Sequence, residues 1–164
     1  MNYYDEIAEG YNELHGQEQE RKAITIVDYL RQNFMLADDI DVLDVGCGTC
    51  HATLLFPGQK TGIDPSEELL KQCDPSVKTL KGKAEDLPFE DDSFDLVISL
   101  TAVHNFDDVE KGLQEMKRVG KSDFAFSILK KSKNFGFIEN EIKENFKIKK
   151  IIDGKKDWVY ICKA

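Results

Sequence analysis

Two carboxylates set around a glycine-rich turn are the residues of this chain best placed to do chemistry. Val42-Leu43-Asp44-Val45 is an apolar run interrupted by one acid, and Gly46-Cys47-Gly48-Thr49-Cys50 follows it directly. Eighteen residues beyond Gly46, a second apolar run ends in Thr61-Gly62-Ile63-Asp64. Glycine has no side chain to hold a ligand away, so a turn of this composition lets the backbone come close to what it binds. A carboxylate closing the next strand can accept both hydroxyls of a ribose. Strand, turn and distant acid together predict a nucleoside-binding pocket.

The same turn carries a second pattern. Cys47-Gly48-Thr49-Cys50-His51 spells the C-x-x-C-H string of haem attachment and contains a redox-type C-x-x-C. Haem attachment of that kind requires export, and Met1-Asn2-Tyr3-Tyr4-Asp5-Glu6 has neither the cationic nor the apolar region of a signal peptide. No second C-x-x-C completes a zinc site, so no metal is expected. The four cysteines, Cys47, Cys50, Cys73 and Cys162, are expected to be reduced thiols of a cytoplasmic chain. The sequence by itself names no role for His15 or His51.

The elements that must position these groups follow from periodicity. Ala23, Ile24, Val27, Leu30 and Phe34 fall at helical spacing and predict a helix over 18–34. A strand over 40–45 precedes the glycine turn, a short helix follows it, and the next strand ends at Asp64. Pro65 and Ser66 open a helix reaching Gln72, with Pro suited to a first turn. Strands are predicted at Val77–Lys81, Phe94–Leu100 and Phe124–Leu129, and helices at Val109–Val119 and 135–144. Two last strands, near 146–152 and 157–162, are joined by Asp153-Gly154 and should therefore pair antiparallel. Alternating strands and helices predict an α/β fold, a doubly wound, Rossmann-like, mostly parallel sheet with an antiparallel C-terminal hairpin. In such a sheet the ligand lies beyond the carboxyl ends of the strands. Here those ends, at Asp44–Cys50, Asp64–Ser66, Gly82–Asp86 and Thr101–His104, are polar or small where the strands feeding them are apolar.

At 164 residues the chain is long enough for one domain with a real core. Its expected organisation is a single domain over 1–164, with 1–34 as an N-terminal lid segment and helix and 35–164 as the core sheet. No apolar run approaches a membrane span. A net charge of −9 disfavours a protein that holds nucleic acid unaided. Lysines do outnumber acids from Lys130 onward, where a solvated face is the commoner reading and a docking surface for RNA or an acidic partner the sharper one.

In four ordered stretches the chain resembles the class I, seven-β-strand S-adenosylmethionine-dependent methyltransferases, specifically the small type 11 branch. The stretches are Val42–Thr49, Gly62–Ser66, Gly82–Val97 and the helix ending Glu115-Met116-Lys117-Arg118-Val119-Gly120. The resemblance implies a seven-stranded methyltransferase fold and residue roles within it. Asp44 would orient the turn and meet the methionyl amino group, and Gly46, Cys47 and Gly48 would form the close approach. Asp64 and Pro65 would lie at the ribose, Ala84 and Glu85 at the adenine, and Thr101 and Ala102 beneath the sulfonium. Tyr11, closing the lid-like Tyr3–Tyr11, would reach the cofactor. His104 is the one catalytic candidate, as a base or an orienting group for the acceptor, although a wall or surface histidine is the commoner role. Cys50 stands where the family usually has a third glycine, and Lys83 where it often has an acid.

The implied activity is direct methyl transfer from S-adenosylmethionine, with S-adenosylhomocysteine as product, to an acceptor that is a small molecule, RNA or protein. Proximity and orientation would be the protein's main contributions. Two alternatives stand beside it: a weak or inactive cofactor-binding scaffold, and a subunit that needs an activating protein partner to bind its acceptor. A nucleotide-dependent oxidoreductase ranks lower, because His51 occupies the place of the third glycine of G-x-G-x-x-G.

Overall fold

The computed structural model describes residues 10–33 and 35–164, the side chains of residues 11–14 excepted. Most of the lid-like segment expected at Tyr3–Tyr11 lies outside the described residues. Seven strands form one sheet: β1 (Asp41–Val45), β2 (Gln59–Asp64), β3 (Lys78–Lys81), β4 (Phe94–Leu100), β5 (Gly120–Leu129), β6 (Lys147–Asp153) and β7 (Asp157–Lys163), in the order β3-β2-β1-β4-β5-β7-β6. β1 to β5 run parallel, and β7 pairs antiparallel with both β5 and β6. The order reverses between β1 and β4, which places the switch point, and hence the ligand crevice, above Gly46 and Thr101.

Alternation along the strands divides the core into two layers. Phe124, Phe126 and Ile128 of β5 pack with Leu43, Val45 and Val97 against α3 (Val109–Val119) and α4 (Phe135–Asn145). Ala125, Leu96, Ile98 and Leu100 point to the other face, against Ala23, Ile26, Val27 and Leu30 of α1 (Tyr11–Gln32). α3 begins at Asp108, whose side chain accepts from the Lys111 N–H, and it ends in Lys117 and Arg118. Both features suit the charges of a helix's ends.

Several elements differ from the sequence expectation. α1 starts at Tyr11, well before residue 18, because its first turns are polar and carry no apolar stripe to announce them. The helix expected from Pro65 to Gln72 shrinks to α2 (Glu67–Leu70). Ser66 is its N-cap, accepting from the Leu69 N–H, so Pro65 precedes the helix instead of sitting in its first turn. β5 starts at Gly120, not Phe124, since the tight α3–β5 junction lets the chain enter the sheet with no loop. The 6–7 hairpin turns over Gly154, Lys155 and Lys156, and the left-handed residue is Lys155 (φ 69°). Gly154 is needed for room: a Cβ there would lie 2.5 Å from Asp157 Oδ1.

The cysteines are not all reduced. Cys50 and Cys73 form a disulfide, while Cys47 and Cys162 are free. The expectation of four thiols rested on compartment alone; nothing in local sequence indicates that the segment after α2 folds back beneath the glycine turn. Cys73→Ser is expected to lower the unfolding free energy by about 3 kcal/mol, because the cross-link joins residues 23 apart and restricts the unfolded chain. Urea denaturation without reductant measures this, and a variant as stable as the parent would contradict it.

Candidate active site

The glycine turn leaves β1 in a sequence of left-handed residues: Gly46 (φ 78°), Gly48 (φ 55°) and Cys50 (φ 61°). Gly46 serves both conformation and space, since a Cβ there would sit 2.4 Å from Ala102 Cβ. Cys50 occupies a conformation that costs a side-chain-bearing residue about 1–2 kcal/mol, which explains why a glycine is expected at that position. The Gly46 and Cys47 N–H groups both donate to Ile63 O, tying the turn to β2.

Asp64 ends β2 inside the same crevice and is 8% exposed. Its Oδ2 accepts the Gly48 N–H at 2.9 Å and its Oδ1 accepts the Ser66 N–H at 2.8 Å. Those two amides fix the carboxylate's orientation across the turn. Pro65 is exposed at the rim.

Asp44 lies deeper, 3% exposed. Thr53, in the short 3-10 turn Thr53–Leu55, donates its hydroxyl to Asp44 Oδ2 at 2.7 Å. Asp44 Oδ1 is buried and has no hydrogen-bond partner among the described residues. Burial raises the Asp44 carboxyl to about 7; the Thr53 hydroxyl opposes the rise and the Asp64 charge adds to it. An orphaned acceptor this deep costs stability unless a donor reaches it. It borders a narrow cavity with Gly46, Cys47 and Thr49, from which a hydrogen-bond donor, neutral or cationic, can reach it.

The crevice continues past the turn in two connected hollows. One, of about 70 Å³, lies between Gly48, Asp64, Leu69, Leu100, Thr101 and Ala102. The other, of about 430 Å³, is bordered by Ile63, Gly82, Lys83, Ala84, Glu85 and Asp107. Asn105 and Phe106 belong to both. Asp44, Gly46, Cys47, Gly48, Asp64, Pro65, Ala84, Glu85 and Thr101 are thus gathered along one crevice. Tyr11 opens α1, and its side chain lies outside the described residues. Glu85 turns its carboxylate to the Asp108 N–H at 3.1 Å, and Lys83 pairs with Asp107. That pairing occupies the lysine standing where an acid was expected.

Two residues at the crevice were missed from the sequence. Phe106 forms its wall because Gly112, inside α3, leaves room: a Cβ on Gly112 would lie 2.6 Å from the Phe106 ring. A glycine in mid-helix was the available signal. Lys22 of α1 is 7% exposed, ion-pairs with the fully buried Asp157 at 2.7 Å and donates to Thr101 Oγ1 at 2.6 Å. Thr101 (φ 56°) is further held by Ser127, whose carbonyl and hydroxyl both accept its N–H. His104 has a buried Nδ1 with no partner among the described residues, and burial together with the Lys22 charge lowers its pKa. It borders none of these hollows. On the far side of Lys22, a cavity of about 560 Å³ opens between α1 and the 6–7 turn, flanked by Arg21, Lys22, Lys155 and Lys156.

Comparison with known proteins points the same way as the geometry. Residues 43–128 match the family model of a methyltransferase domain. The chain is 35% identical over 99 residues to the uncharacterized methyltransferase YcgJ of Bacillus subtilis, covering 54% of this chain and 39% of that one. It is 33% identical over 172 aligned positions to the uncharacterized protein MJ1252 of Methanocaldococcus jannaschii, covering 94% of this chain and 66% of that one. The chain thus spans less than two thirds of the length of these curated relatives. The crystal structure of YcgJ superposes with a TM-score of 0.61 at 29% identity, over 66% of this chain and 50% of that one. A chain from the complex between the Haloferax volcanii Trm112 methyltransferase activator and a methyltransferase gives a TM-score of 0.81 at 15% identity. That match covers 100% of this chain and 98% of the other, a likeness of fold.

Proposed function

Since this chain belongs to the S-adenosylmethionine-dependent methyltransferases of the type 11 branch, we propose that its crevice holds S-adenosylmethionine through Asp44 and Asp64 and presents its methyl group to an acceptor near Thr101. The observation that carries this reading is the orphaned Asp44 Oδ1, buried beside the glycine turn and opposite the ribose-competent Asp64. A cofactor with an ammonium group, two ribose hydroxyls and an adenine matches, in order, Asp44, Asp64 and the hollow at Ala84 and Phe106. When bound, S-adenosylmethionine supplies an electrophilic methyl group on a sulfonium. The chain's own part is to hold that group in line with an acceptor and keep water away. The chain is read as one methyltransferase domain.

The cavity between α1 and the 6–7 turn lies on the far side of Lys22 and shares no lining residue with the crevice, so the acceptor is not read into it. His104, lowered in pKa and so neutral near pH 7, has the protonation state of a base, but its distance from the hollows makes it a supporting residue in this reading. A dependence on a second protein is supported by the Haloferax neighbour, which was solved with its Trm112 activator. Methyl transfer that appears only when an activator of that kind is added would favour this version over a stand-alone enzyme. Among the described residues no helix is long and apolar enough to cross a membrane.

Calorimetric titration with S-adenosylmethionine tests the reading through its pH dependence. In the free chain the Asp44 carboxyl stays protonated up to about 7, against an ordinary value of 3.8. Its contribution to fold stability is therefore complete below about pH 4 and lost as pH climbs to about 7, because the folded chain alone retains the proton in that window. Binding runs in the opposite sense, since an ammonium group needs the carboxylate. Affinity is expected to rise about eightfold from about pH 6 to pH 7.5, and Asp44→Asn should flatten the profile. A flat profile in the unmodified chain would remove Asp44 from the cofactor's contacts.

A further inference from the structure

The C-x-x-C of the glycine turn is not a pair. Cys50 joins Cys73, and Cys47 sits beside them, its sulfur within 4.8 Å of both. All three sulfurs lie under the cofactor turn. Cys47 and Cys50 pack on Gly62 of β2, where a Cβ would come within 2.6 Å of Cys47 Sγ and 3.2 Å of Cys50 Sγ. Cys73 Sγ lies 3.4 Å from the carbonyl oxygen of Gly48, the residue whose N–H holds Asp64. The cross-link therefore clamps the turn at its most demanding residue, the left-handed and fully buried Cys50.

We infer that Cys50 and Cys73 form a thiol–disulfide modification site built into the cofactor turn beside Cys47, that its reactant is a low-molecular-weight disulfide, and that the oxidised form binds cofactor the more tightly. This rests on the cofactor reading given above. Cys73 is the point of attack, being partly exposed where Cys50 is fully buried. Its thiolate attacks a small disulfide RSSR, forming a mixed disulfide and releasing one RS⁻. The Cys50 thiolate then displaces the second RS⁻ and forms the Cys50–Cys73 bond. Two cysteine thiols are oxidised, one RSSR is reduced to two RSH, and the two protons pass from the cysteines to the released thiolates. Cys47 stays out of the exchange: burial, with the nearby Asp44 and Asp64 charges, holds its thiol well above the ordinary value, so little thiolate forms. Reduction leaves no covalent tie between the turn and the segment after α2. The turn then has to be ordered by the cofactor itself, and affinity falls by the loss of preorganisation.

The test uses the full chain, oxidised with glutathione disulfide or reduced with dithiothreitol. Alkylation in denaturant and intact mass count the thiols, and S-adenosylmethionine is titrated calorimetrically against each folded form. The expected result is two alkylatable thiols in the oxidised form against four in the reduced, with affinity about tenfold lower after reduction and restored by reoxidation. Cys162→Ser, far from the turn on β7, should keep this switching, and Cys73→Ser should bind at the reduced level under both conditions. Equal affinity in the two forms overturns the inference while leaving the cofactor reading intact. So does a chain that keeps four reactive thiols after glutathione disulfide treatment. Binding by neither form overturns the cofactor reading, and this inference with it.

Discussion

Replacing Asp64 by Ala is expected to weaken S-adenosylmethionine binding a hundredfold or more. In the proposed reading the carboxylate accepts two ribose hydroxyls, and charge-assisted hydrogen bonds contribute about 1.5 kcal/mol or more each, so losing both removes about 3 kcal/mol. The substitution also leaves the Gly48 and Ser66 N–H groups without their carboxylate partner, which loosens the glycine turn itself. Water can enter the crevice and satisfy them in part, so the cost to the fold should be small, about 1 kcal/mol per amide. Asp64→Asn separates the two effects: it keeps one acceptor oxygen for the turn but loses the charge and half the acceptor capacity. Calorimetry and thermal melting of both variants measure the two contributions. An Asp64→Ala chain that binds as tightly as its parent would remove this carboxylate from the site.

The second large effect is on stability. Lys22→Met strands Asp157, fully buried, without its ion partner, and Asp157→Leu strands Lys22. Each single substitution is expected to cost about 3–5 kcal/mol, because a lone charge cannot be left in so dry a place. The double substitution should recover most of that loss, since an apolar pair requires no desolvated charge. Urea denaturation of the two singles and the double gives the coupling directly. Strictly additive losses would mean that the pair does not act as a unit. The double variant should still bind S-adenosylmethionine less well, as Thr101 loses the ammonium that holds its hydroxyl at the crevice floor.

These two cases differ in how far they could be foreseen. Asp64 was legible because its place announces it: it closes a short strand through Gly62-Ile63, lies eighteen residues beyond Gly46 and is followed by Pro-Ser. The same holds for Asp44, the glycine turn, β4 and α3: β1 and β4 are short, almost continuously buried apolar runs, and α3 buries residues at helical spacing. Lys22 was not legible, being a lysine among polar helix residues whose only distinction is the partner it meets. That partner comes from the far end of the chain, where β7 starts beside the end of β5, with Leu129 opposite Asp157.

Local pattern by itself therefore determined the class of the fold, the antiparallel hairpin, the crevice and the acids that border it, since each depends on short-range periodicity and on glycine and capping chemistry. The tertiary structure alone decided the Lys22–Asp157 ion pair beneath Thr101, the Phe106 wall resting on Gly112, and the joining of Cys50 to Cys73 in place of four free thiols. Each of those depends on strand order and helix docking bringing remote residues within a few ångströms. No spacing in the sequence encodes such a distance until the sheet β3-β2-β1-β4-β5-β7-β6 has formed.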